Sequence, residues 1–148
     1  MKKAILLIAF FGCVSIVSAQ RYNTAVGVRV GTPFGLTAKH FLGSPLAVEG
    51  MLGLNVDGFY LVGLLEMHTP LPFGDNWYGY FGAGGHLAMS GNNNNDPLVI
   101  GVDGIAGLGY NFSKFPIDLS LDFNPNLDII NGSGFNFYRT GFSARYIF

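Results

Sequence analysis

Beyond residue 19 the chain alternates. Apolar residues trade places with polar or small ones at every second position, through segments of roughly 9 to 14 residues, which is the period of a strand with two unlike faces. The pattern predicts eight strands: Tyr22–Gly31, Phe34–Leu42, Leu46–Val56, Phe59–Thr69, Trp77–Ser90, Leu98–Phe112, Pro116–Asn124 and Phe135–Phe148. Between them stand Gly31-Thr32-Pro33, Gly43-Ser44-Pro45, Asp57-Gly58, Pro70 to Asn76, Gly91 to Pro97, Ser113-Lys114 and Pro125 to Gly134. All contain Gly, Pro, Asn, Asp or Ser, the residues that reversals favour. The seventh segment is the clearest, with Ile117, Leu119, Leu121 and Phe123 set against Asp118, Ser120, Asp122 and Asn124. The fold class expected is all-β, an eight-stranded antiparallel up-and-down barrel. An even strand number puts both chain ends on the same side.

Which face points outward follows from side-chain size. The polar faces carry Gly27, Gly31, Gly35, Gly53, Gly82, Gly84, Gly101, Gly107, Gly109 and Gly141 and few charges. A soluble exterior wants about a quarter or more charged residues. The opposite faces are filled with Val, Leu, Ile and Phe, too bulky for an eight-stranded interior that side chains only just fill. Small residues inside and bulky ones outside fit a transmembrane barrel standing in lipid, and a secreted soluble barrel is the alternative. Aromatic residues gather near segment ends, among them Phe34, Phe59, Trp77, Tyr110, Phe112, Phe135, Phe137, Tyr138, Tyr146 and Phe148, as in the girdles at a membrane boundary.

Composition narrows the classes further. Charged residues are 11% of the chain, less than half the roughly 25% usual for soluble domains. There is no basic stripe to neutralise phosphates, so no nucleic-acid partner is expected. Met1-Lys2-Lys3, the apolar run Ala4 to Val17 and the small residues Val17-Ser18-Ala19 predict a cleaved signal peptide over 1–19, leaving 20–148 as one barrel domain. The single cysteine, Cys13, falls inside that leader, so no disulfide, thiolate nucleophile or cysteine-held metal is expected in the mature chain.

Several stretches resemble a known class. Gly27-Val28-Arg29-Val30-Gly31 followed by Gly35-Leu36-Thr37-Ala38-Lys39-His40-Phe41 is similar to the opening hairpin of the short barrels common in the Bacteroidetes. Gly101-Val102-Asp103-Gly104 and Pro116-Ile117-Asp118-Leu119-Ser120-Leu121-Asp122 fit the same pattern. The ending, with Tyr146 two residues before Phe148, resembles the assembly signal of Gram-negative outer-membrane barrels, although Ser143 stands where Gly is usual. The resemblance covers all of the mature chain. It implies a small eight-stranded outer-membrane barrel with both termini periplasmic, surrounded by outer-membrane lipid and inserted by the outer-membrane assembly machinery. That family carries no assigned reaction, so fold alone leaves function open.

The candidate chemistry lies on the inward faces. Matching polar faces across neighbours sets Lys39 opposite Glu49, and a two-residue Asp57-Gly58 turn sets Glu49 opposite Glu66. Arg145 is expected at a similar height, with Asp118 able to join, so that Lys39, Glu49, Glu66, Asp118 and Arg145 form a charge network in the lumen. Buried charges need partners, and a salt-bridged plug is the expected outcome, with a proton-sharing or ion-binding cluster as the alternative. His86 and Asp103 form a second candidate pair across the Gly91–Pro97 connection. No Ser stands two positions from His86, His40 or His68, so a hydrolytic centre is not expected. Asn92-x-Asn94-x-Asp96 lacks the glycine and closing Glu of a calcium loop, and neither metal nor cofactor is expected. The sequence thus points to a non-enzymatic envelope protein with a plugged lumen, structural or accessory to a larger outer-membrane complex. The alternative is small-solute or lipid binding or transport through the barrel.

Overall fold

The computed structural model describes residues 23–55, 58–90 and 98–148. The signal-peptide expectation for residues 1–19 and the Gly91–Pro97 connection lie outside them. Within them the chain is all β: β1 Thr24–Gly31, β2 Gly35–Gly43, β3 Leu46–Asn55, β4 Gly58–Pro70, β5 Trp77–Ser90, β6 Val99–Asn111, β7 Ile117–Phe123, β8 Asn126–Ile130, β9 Phe135–Asn136 and β10 Thr140–Ile147. Each of β1 to β6 pairs antiparallel with the next, and β10 closes the ring between β7 and β1. The result is a closed eight-stranded up-and-down barrel.

Ten segments make eight strands because the last two are each broken once. β8 continues β7 beyond Asn124-Pro125, and both pair with β6. β9 is the opening piece of the strand that β10 completes. The expected connection Pro125–Gly134 is therefore mostly strand, and the turn shrinks to residues 131–134. The reason is legible afterwards: Asn126, Leu127, Asp128 and Ile129 carry the alternation on past the proline. Pro125 lacks an N–H, but its carbonyl still accepts the Gly104 amide at 2.8 Å.

The expected single strand Phe135–Phe148 also needs correction. Phe123 pairs with Thr140 and Asn126 with Asn136, so Asn124-Pro125 face three residues, 137–139. That is a bulge, with one extra residue on the last strand. An unbroken strand would have turned Phe135 and Phe137 inward beside Arg139. The extra residue resets the phase: both rings stay outside, Tyr138 stands 93% exposed, and Arg139 is buried at 6%.

The barrel is apolar outside and polar within. Val26, Val28 and Val30 on β1, Leu61 and Leu65 on β4, and Leu121 and Phe142 on adjoining strands are all exposed. Among the described residues, only Asp75 and Lys114 of the Asp, Glu, Lys and Arg side chains are not interior, and both sit in connections. The outer face also has a flat band where Ala38, Gly50, Gly63 and Gly85 are paired in one row across β2 to β5. Asn23 and Phe148 lie at one end, here the terminal end, beside the β2–β3, β4–β5 and β6–β7 connections; the opposite end is distal.

Candidate functional site

The interior is layered. Towards the terminal end, alternation on five strands aims Lys39, Glu49, Glu66, Asp118 and Arg145 inward, and all five are buried. Lys39 Nζ lies 3.1 Å from Glu49 Oε2 and 2.8 Å from Glu66 Oε2. The Arg145 guanidinium donates to Glu49, to Asp118 Oδ2 at 3.0 Å, to Ser120 Oγ at 2.7 Å and to Thr37 Oγ1 at 3.2 Å. The Thr37 hydroxyl donates to Glu49, and the Tyr78 hydroxyl to Asp118. His68 Nε2 lies 2.9 Å from Glu66 Oε2, its ring stacked on Tyr80. The five residues predicted to meet do meet.

The register that brings them together differs from the expected one. Lys39 pairs with Glu49 as anticipated, but Glu49 pairs with Leu64, and Glu66 with Ala47. The reversal follows Asn55 and ends on Gly58, whose φ of 155° disfavours any residue with a side chain. A shift of two residues keeps every side chain on its own face, so the hydrophobic pattern could not detect it. Lys39 recovers the contact by reaching diagonally to Glu66.

The middle layer was not anticipated. Arg29 makes two parallel bonds to Asp122, at 2.7 and 2.6 Å, and Tyr80 donates to the same carboxylate at 3.0 Å. Parity alone could have found the pair, because Arg29 shares its face with Gly27 and Gly31. Beside it Met51, Val62, Leu64 and Ile105 form an apolar cluster with Tyr80. These residues separate the terminal charges from a distal group.

In the distal group His86 Nδ1 lies 2.6 Å from Asp103 Oδ2, and its Nε2 lies 3.0 Å from Asp128 Oδ1. The expected facing register is again two residues out, with His86 paired to Gly101 and Asp103 to Gly84. The side chains close that gap diagonally. Arg139, turned inward below the bulge, donates to the Tyr60 oxygen and lies 3.5 Å from Asp103 Oδ1. Tyr60 stacks on the His86 ring at 4.9 Å. Asp128 accepts further bonds from Asn126 and from the Ser133 amide. It was missed because its segment carried turn residues at both ends.

The glycines explain how long side chains fit so narrow a tube. A Cβ on Gly101 would strike the His86 ring, on Gly107 the Tyr80 ring, on Gly109 the Tyr78 ring, and on Gly141 the Arg29 guanidinium. Each glycine is the seat on which a neighbour's inward side chain lies. At the terminal end Tyr146 packs edge-on to Phe148 at 5.1 Å, both exposed on the outer face.

Among the described residues, no group of three or more His, Asp or Glu is disposed to hold a metal ion. Comparison with protein-family models, curated proteins and solved structures found no match. What the interior can do chemically is pair charges and hold protons.

Proposed function

We propose that this chain is an integral outer-membrane β-barrel of a Gram-negative envelope, with both termini periplasmic and a plugged, non-conducting lumen. Its role is structural or accessory, not catalytic: a lipid-embedded platform that stabilises the envelope or serves a larger outer-membrane complex. It stands with the small eight-stranded barrels of the Bacteroidetes that its opening hairpin resembles.

One observation carries this reading. The charged side chains of the described strands are interior, while Val, Leu, Ile and Phe cover the outside. In water such an exterior would leave an apolar surface far beyond the few hundred Å² that soluble monomers tolerate. In hydrocarbon the same surface is at home, and a closed ring of strands leaves no backbone group unpaired there. The plug is supported by Arg29, Lys39, Glu49, Glu66 and Arg145, all almost wholly buried across an eight-stranded bore. Lipid binding, the second reading, is favoured by an apolar depression of about 410 Å³ on the outer wall, flanked by Trp77, Leu108, Leu121 and Phe142.

The test has two parts. Separated on a density gradient, envelopes of a Gram-negative host are expected to carry the protein in the outer-membrane fraction, and recovery from the soluble periplasm would overturn the membrane reading. Purified barrels in planar bilayers are expected to give no single-channel steps; regular steps would overturn the plug.

A further inference from the structure

The interior charges do not balance. Among the described residues six carboxylates face inward, on Glu49, Glu66, Asp103, Asp118, Asp122 and Asp128, against four permanent cations, Arg29, Lys39, Arg139 and Arg145. The imbalance is not spread evenly. Arg29 and Asp122 match one to one in the middle. The terminal group has Glu49, Glu66 and Asp118 for Lys39 and Arg145, one negative charge in excess. The distal group has Asp103 and Asp128 for Arg139, again one in excess.

Each group in excess also contains one imidazole in contact with a carboxylate. His68 Nε2 is 2.9 Å from Glu66, and His86 sits between Asp103 and Asp128 at 2.6 and 3.0 Å. Around His68 the facing groups are Glu66 on β4, Lys39 on β2, Glu49 on β3, Arg145 on β10, and Tyr78 and Tyr80 on β5. Around His86 they are Asp103 on β6, Asp128 on β8, Tyr60 on β4 and Arg139 at the bulge. Burying an unpaired charge is costly enough that the group neutralises instead.

We propose that the folded barrel is a two-proton store, binding one proton in the His68–Glu66 pair and one in the Asp103–His86–Asp128 bridge. Each proton brings its group to neutrality whether nitrogen or oxygen holds it. The apolar layer of Met51, Val62, Leu64 and Ile105 keeps the two sites apart, so each fills and empties separately. The inference rests on the sealed lumen proposed above. Bilayer conductance reads the seal and proton counting reads the store, so the two fail separately.

The experiment is refolding from urea into detergent micelles in weak buffer, with proton uptake measured between about pH 7.5 and 8.5. There the imidazoles and carboxylates of an unfolded chain, near 6.5 and 4, have already lost their protons. Folding should take up about two protons, and the unfolding constant should rise about a hundredfold per pH unit, because the folded state holds the protons that unfolding releases. Glu66→Gln and Asp128→Asn should each lower the uptake to about one, and the double variant to none. No uptake by the wild-type chain, or uptake unchanged in both variants, overturns the proposal. If a variant does not fold, the wild-type count and its pH slope decide alone.

Discussion

At the terminal end of the interior every carboxylate touches a Lys or an Arg; at the distal end, among the described residues, Asp128 touches an imidazole and neutral hydrogen-bond donors but no Lys or Arg. The strands behind the two groups differ in the same sense. The terminal group is carried by unbroken stretches of β2, β3, β4, β7 and β10. The distal group spans the break between β7 and β8 and the bulge that turns Arg139 inward. One end is held by Lys39 and Arg145, each spanning two carboxylates, on strands whose register shift between Phe41 and Gly43 on β2 lies beyond Lys39. The other is assembled across an interruption by one cation, one imidazole and the amides of Asn126 and Ser133. Resistance to unfolding should therefore be concentrated at the terminal end, and removing the cations one at a time tests this.

The largest effect is expected from Arg145→Met. That change leaves Glu49 and Asp118 without their shared cation and strips a donor from Ser120 and Thr37. Breaking a buried pair typically costs about 3–5 kcal/mol, and two carboxylates lose a partner here. Urea unfolding in lipid vesicles, followed by Trp77 fluorescence, should show a variant at or past the edge of folding. Lys39→Met should come next, with a loss towards the lower end of that range, because Glu49 keeps Arg145 while Glu66 keeps only His68. An unchanged midpoint for either variant would mean that the terminal charges are solvated.

Arg139→Gln should cost less, about 1–3 kcal/mol. Its contact with Asp103 is long, at 3.5 Å, and glutamine retains a donor for Tyr60. The same urea series measures it. A loss equal to that of Arg145→Met would erase the contrast between the two ends and make the distal group an equal partner in stability.

How much of this was legible in the sequence depends on which property of a strand is asked for. Face was legible: the alternation put Lys39, Glu49, Glu66, Asp118 and Arg145 inside, and His86 and Asp103 with them. Register was legible only modulo two, since shifting a strand by two residues leaves the hydrophobic pattern unchanged. That is why Glu49–Glu66 and His86–Asp103 were both set two positions out. The diagonal reach of Lys39 and His86 brought the contacts back. The bulge was the harder case. Phe135 and Phe137 are out of phase with Phe142, and that mismatch was the available signal, but it was absorbed into one long strand.

Tyr138 is the extra residue of that bulge and gives the smallest expected effect. Its side chain is the most exposed of the large apolar groups, and none of the interior contacts uses it. The fold needs a residue at this position, but not its ring. Tyr138→Ala should leave the urea midpoint within about 0.5 kcal/mol of the wild type, as for surface positions generally. Arg139 would still point inward, because the backbone count between Asn136 and Thr140 is unchanged. A larger loss, on the scale of Arg139→Gln, would mean that the exposed ring itself anchors the distal end at the membrane boundary, and that the interruption is held from outside as much as from within.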